Sequence, residues 1–410
     1  VLIRNDFAGC SGNVTLNVTY VPTVGTWTNS ASDNNQSGLR VYSFGNISLD
    51  RCLSSGNNDY GAYIENDSAS AARTVTVRNS SFTGNGTNGL AINSKGNVTI
   101  NNSNAYDHAG GSGLYIDNSY GPGSVTISSI GAVKNDYSDN YYYGLDITSA
   151  GIVTISNIDA TGSGYGIRVD NTYGIGKGVT VSNADCSGST IGEGLLIYSK
   201  GAITITDIVS NDNALNQGAN LSNSNASTPQ TIKVTRGQFN GNISSYGLVI
   251  TSRGAVTLNS VQANENGGDG AWINTCIYNG GMDQCDGTGG LTVSGSGNSF
   301  SRNGAYGLYV YSRGGVSLSN VAIDENGSTG LHLLHYHSNC SGTVTLTSTG
   351  GGMNSISNNG YYGAEIKTVG IVTLSNLNAN TNFNDSGYTY TNIFGTFYID
   401  NTYGSVGRNV

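Results

Sequence analysis

A two-part phrase recurs along this chain and limits what it can fold into more than any other feature. In one clean copy it reads G-L-V-I-T-S-R-G-A-V-T-L, from Gly247 to Leu258. The first half is a glycine, an apolar residue, any residue and a second apolar residue. The second half is a glycine, any residue, then Val-Thr-Leu or a close variant. Apolar residues at every second position mark a strand with one buried face, because side chains alternate sides along an extended backbone. The glycine ahead of each run marks a turn.

First halves begin at Gly38, Gly61, Gly89, Gly113, Gly144, Gly166, Gly194, Gly218, Gly247, Gly270, Gly307, Gly330 and Gly363, with a weaker copy at Thr396. Short and long intervals alternate, so the repeating unit is a pair of turns of roughly 50 to 60 residues. A third apolar pair follows several copies: Ile158/Ala160, Val261/Ala263, Val321/Ile323 and Leu377/Ala379. Three short strands and three turns per copy make one coil of a parallel β-helix. Each strand then pairs with its counterpart one coil away, about 4.8 Å along the axis. The expected fold is all-β, a single β-solenoid over 1–410 with about fourteen coils, which would make a rod of roughly 65 to 70 Å. Residues 1–37 read as incomplete first coils with a polar insertion from Thr23 to Gln36 around Trp27. Residues 275–290 read as a long corner loop, and the chain is expected to be a segment of a longer array, since bare β-helix ends expose unpaired edges.

The corners need residues that accept positive φ, and glycine does so at no steric cost. Asn is next best. Asn157, Asn183, Asn259, Asn320 and Asn376 follow the second strand in their copies, where stacked amides would act as structural glue.

Composition removes several function classes. Gly supplies 61 residues and Pro only 3, without a strict third-residue period, which excludes collagen. The net charge is −9 and the 17 basic residues form no dense patch, which argues against nucleic acid as a partner. No apolar run is long enough for a transmembrane segment.

Three sets of residues could carry function. The first points outward two places after the anchoring glycine. Tyr63, Tyr115, Trp272, His332 and Tyr398 fall on one set of alternate coils and Tyr309 on the other. Rings on a polar surface can stack on sugar faces or on a partner. The second is a file of carboxylates, Glu65, Asp117, Asp170 and Asp400, which could hold calcium with loop carbonyls. Two coils separate its members by about 10 Å, outside the spacing of a glycosidase pair. The third is Cys276 and Cys285 in C-I-Y-N-G-G-M-D-Q-C, a candidate disulfide pinning the long corner. The nearby sequence offers no further zinc ligands, and H-L-L-H, within His332, His335 and His337, is not by itself a metal signature. The corner around His337 occupies the same place in its coil as the corner holding the two cysteines.

The G-L-x-I and G-x-V-T-I phrases throughout 38–410 resemble the right-handed parallel β-helix group, shared by pectin-acting enzymes, phage tailspikes and bacterial surface repeat proteins. They look most like the non-enzymatic surface proteins. The pectin-acting enzymes would bring D-D, G-H-G and R-x-K motifs, and none is found here. The resemblance implies a structural rod, filament or adhesin segment of an extracellular microbial surface protein, without catalysis and without a cofactor other than calcium. Its partners would be further coils, neighbouring copies or surface glycans. The alternative is a carbohydrate-binding or carbohydrate-active β-helix, with its cleft beside Trp272, His332 and the 275–290 corner.

Overall fold

The structure, a computed structural model, describes residues 1–7, 10, 12–17, 29–277, 284–348, 352–382 and 397–400. Trp27, much of the polar insertion, the middle of the 275–290 corner, the start at Thr396 and the last corner around Tyr403 lie outside these residues. Among the described residues there are strands and no helix, and every strand pairing is parallel. The chain divides into two compact units, Val1–Lys200 and Gly201–Val410.

In the first unit, the strands that open each phrase form one sheet. Leu90 pairs with Leu114 and Ile92 with Ile116, so like residues stack from coil to coil. The strands of the second half form another sheet, in which Val98 meets Val125 and Ile100 meets Ile127. A shorter third sheet joins Asn29–Ser30, Cys52–Ser55, Ser81–Thr83 and Asn104–Tyr106. The second unit repeats this plan, with a short third sheet through Asn298–Ser299, Val321–Ala322, Asn354–Ser355 and Leu377–Asn378. Strand, turn and return to the next parallel strand, three times per coil, is the right-handed β-solenoid that the phrase predicts.

Inward positions close the core. Leu248, Ile250, Val256 and Leu258 of the clean copy are all buried, while Val249 and Thr257 between them are half-buried. Each such aliphatic side chain contributes roughly 1.5–3 kcal/mol on burial, and only the next coil completes its surroundings. In several coils the second and third strands fuse, as in Val153–Asp159 and Val179–Asp185, and bend at Asn157 (φ 58°) and Asn183 (φ 48°). Asn183 Nδ2 donates to Asn157 Oδ1 at 2.8 Å, as the expected amide stack requires. Asn320 and Asn376 also take positive φ, but at Asn259 the following Ser260 does so instead.

The anchoring glycines serve a different purpose from the one expected. None of them is in the positive-φ region among the described residues. A Cβ on Gly247 would stand 2.6 Å from Phe239 O, 2.7 Å from Gly270 O and 2.6 Å from Asn266 Nδ2. Glycine is needed there because the neighbouring coil and a buried amide leave no room.

That amide belongs to the main polar feature of the core. In the second unit, Asn242, Asn266, Asn303, Asn326, Asn359 and Asn382 form a ladder. From Asn266 onward, each Oδ1 accepts from both the backbone N–H and the Nδ2 of the preceding member, at 2.8 to 3.1 Å. In the first unit the corresponding file runs through Asn57, Asn85, His108 and Asn140, with His108 Nδ1 accepting from Asn85 N–H at 3.0 Å.

Candidate functional site

The first sheet of the second unit carries a file of outward positions, half-buried at Val249, Trp272 and Tyr309 and buried at His332. Its register places Val249 beside Trp272, Trp272 beside Tyr309, Tyr309 beside His332, and His332 beside Glu365. Trp272 and Tyr309 are stacked with ring centroids 6.4 Å apart, and Tyr309 and His332 lie 4.8 Å apart. Tyr306 closes the group, 5.5 Å from Tyr309 and 5.1 Å from His332. Sorting by alternate coils separates Tyr309 from Trp272 and His332, but the sheet interleaves them, so the rings form a strip on consecutive coils. Tyr306 was missed because it precedes the anchoring glycine rather than following it. A Tyr-Gly signal was nonetheless present, at Tyr60, Tyr143, Tyr165, Tyr246, Tyr306 and Tyr362.

Carboxylates border the strip. Glu365 Oε2 lies 2.8 Å from His332 Nδ1, a close contact but not an aligned hydrogen bond, and Glu365 Oε1 lies 2.9 Å from Lys367 Nζ. Burial lowers the pKa of His332, against the opposing pull of Glu365. Asp269, almost fully buried, accepts from Tyr306 N–H at 3.0 Å, and burial pushes its carboxyl up to about 6. The half-exposed faces of Trp272, Tyr306 and Tyr309, beside acceptor oxygens and with His332 buried at the end of the file, suit a ligand with apolar C–H faces and hydroxyl edges.

The other aromatic candidates do not join this strip. In the first unit, Tyr63 packs between Tyr42 (5.8 Å) and Tyr60 (5.4 Å), and its hydroxyl donates to Glu65 at 2.8 Å. Tyr115 lies in register between Ala91 and Asp146, whose carboxylate holds Arg168 at 2.7 Å. In the second unit, Tyr398 is 42% exposed and stacks on Tyr362 at 5.9 Å, rather than on the Trp272 group.

The carboxylate file is corrected as a calcium site. Glu65 and Asp117 both pair in register with Asn93, and Asp117 and Asp170 both pair with Thr148, so no two of these carboxylates are adjacent. Asp117 Oδ1 accepts from Ser119 N–H (3.0 Å) and Oγ (2.6 Å). Asp170 Oδ1 accepts in the same way from Thr172, at 3.1 and 2.6 Å. These are side-chain turns that use the acceptors locally. Asp400 lies beside Lys367 in register.

Ligand atoms instead converge at the long corner. Cys276 and Cys285 are joined by a disulfide, with Cα atoms 4.6 Å apart. The coil geometry brings His337 against them. The two sulfurs and a ring nitrogen of His337 all lie within 4.8 Å of one another, and all three residues are buried. Sulfur and imidazole suit zinc and other borderline or soft cations rather than calcium. With the disulfide reduced, the three residues would offer three protein ligands, the number found in catalytic zinc sites. This cluster overturns two expectations: that the chain carries no catalytic chemistry, and that it takes no cofactor unless calcium. The search for zinc ligands along the local sequence missed His337, because its corner stacks on the cysteine corner from a later coil.

Hydrogen bonds and a stacked ring fix this corner. Cys276 and Ile277 N–H both donate to Asn274 Oδ1 at 3.0 Å. Arg313 donates to Gly287 O (2.7 Å) and Cys285 O (3.3 Å). The Tyr311 hydroxyl meets His337 Nε2, and the Tyr336 ring stacks on His337 at 4.8 Å.

No curated protein and no solved structure matches the chain. Residues 1–105 match the family model described as a right handed beta helix region, in agreement with the parallel coils of the first unit.

Proposed function

We propose that this chain is a segment of an extracellular microbial surface protein, an adhesin whose solenoid face binds glycans through the strip of Trp272, Tyr309 and His332. The observation that carries this reading is the continuous run of rings on consecutive coils, extended by Tyr306 and bordered by Asp269 and Glu365. Ring spacing along a parallel sheet follows the coil repeat, so successive rings can meet successive sugars of one extended chain. The Cys276–Cys285 disulfide supports an oxidising location. The low charge suits a neutral polysaccharide better than a polyanion.

A screen of microbial and host-surface polysaccharides by isothermal titration tests the reading. One class should bind the full chain, and Trp272→Ala or Tyr309→Ala should each weaken it by about 10-fold, the worth of one aromatic contact. Binding that both variants leave unchanged would place the glycan elsewhere.

A further inference from the structure

We propose that Cys276, Cys285 and His337 form a redox-gated zinc site, closed as a disulfide and opened by reduction to two thiols. The inference stands apart from glycan binding and rests on the corner alone. The three donors lie on two corners of the second unit and are buried, and their ligand atoms converge within 4.8 Å. Zinc–sulfur bonds of about 2.3 Å in a tetrahedron separate the ligand atoms by roughly 3.5 to 4 Å, within that span. The oxidised pair is a poor ligand, because zinc binds the anionic thiolate and a disulfide sulfur carries no such charge.

The opening step balances as follows. A dithiol reductant gives two electrons and two protons; the Cys276–Cys285 bond breaks, two thiols form, and the reductant closes to its own disulfide. Zinc then displaces both thiol protons, which pass to solvent, while two Zn–S bonds form and a ring nitrogen of His337 supplies the third ligand. Water completes the tetrahedron. The hydrogen bonds that Asn339 makes to Cys285 survive this change. Asn339 bonds both to Cys285 N–H and to Cys285 O at 2.9 Å, and neither bond involves sulfur. The Tyr311 hydroxyl orients the His337 ring, as outer-shell partners of metal-binding histidines do.

The test loads the full chain with Co²⁺, a spectroscopic stand-in for zinc, before and after reduction by dithiothreitol and anaerobic removal of the reductant. Reduced protein should take up one equivalent, with thiolate-to-cobalt charge-transfer bands and tetrahedral visible bands that Zn²⁺ abolishes. Oxidised protein should show neither. Cys276→Ser should weaken the charge-transfer bands, and Cys276→Ser with Cys285→Ser should abolish them. His337→Ala, which leaves the disulfide intact, should weaken uptake by at least about 10-fold. Cys340→Ser should leave the spectrum unchanged, and far-UV circular dichroism should report an intact β signal throughout. The proposal is overturned if folded, reduced protein gives no charge-transfer bands, if oxidised protein gives them equally, or if His337→Ala binds as tightly as the parent.

Discussion

Asn339 holds Cys285 at both ends of its backbone: its Oδ1 accepts from Cys285 N–H and its Nδ2 donates to Cys285 O, each at 2.9 Å. The two residues are 54 positions apart in sequence, yet coil stacking makes them neighbours. The same stacking brings His337 to the disulfide. The metal-capable corner is therefore a product of the repeat, assembled from two corners that separately look unremarkable.

Asn339→Ala should loosen this corner more than it destabilises the solenoid. Arg313 still reaches Cys285 O, so the Cys285 N–H becomes the orphan, at about 1–3 kcal/mol. Dithiothreitol should then release the two thiols faster than in the parent, measured by thiol titration over time. An unchanged release rate would show that Asn339 does not protect the bond.

The asparagine ladder should be among the most sensitive features of the second unit. Asn303→Ala strands the Asn266 backbone N–H and amide together. Two buried donors without acceptors predict a loss of about 2–4 kcal/mol. The lowered urea midpoint, with an unchanged slope, would report it; a loss under about 0.5 kcal/mol would contradict a structural role.

How legible was this molecule in its sequence? The strands, their pairing and the inward apolar files were readable, because a period-2 pattern repeated coil by coil leaves little else that buries Leu248, Ile250, Val256 and Leu258 together. Asn157 and Asn183 were read correctly as positive-φ corners with bonded amides. The anchoring glycines were placed correctly but for the wrong reason, since Gly247 is fixed by lack of room rather than by φ. The buried ladder through Asn303 was not singled out, because a solvated Asn and a buried one look alike until the neighbouring coil is in place. The strip was half-readable: Trp272 and His332 were grouped, but Tyr309 was assigned to the other set and Tyr306 was overlooked. The pairing of His337 with the two cysteines is not legible along the chain, because a solenoid builds sites across coils.

In the first unit, His108 takes a rung that asparagine fills elsewhere, and this should make the unit acid-sensitive. Its Nδ1 accepts from Asn85 N–H, so the ring is neutral there, and burial lowers its pKa to about 4. Unfolded histidine titrates near 6.5. Between these values the unfolded chain binds the extra proton, so this contribution is complete above about pH 6.5 and declines as pH falls toward 4, by on the order of 3 kcal/mol. Asp269 in the second unit slopes the opposite way. Its folded pKa of about 6 exceeds its unfolded value, so its contribution is present at low pH and is lost as pH rises through 6. The difference between parent and His108→Asn isolates the histidine. The variant should gain on the parent as pH drops from 6.5 to 4 in urea melts; a constant difference would refute the assignment.

A glycan lying on the Trp272 strip is reported directly by Trp272 itself. The chain has two tryptophans, Trp27 and Trp272, so a Trp27→Phe background leaves one indole. Titration of that protein with oligosaccharides from the polysaccharide that binds it should shift the Trp272 emission saturably, with the same midpoint as the calorimetric binding curve. Tyr309→Ala should move both midpoints together. Full calorimetric binding with no change in Trp272 emission would contradict the account.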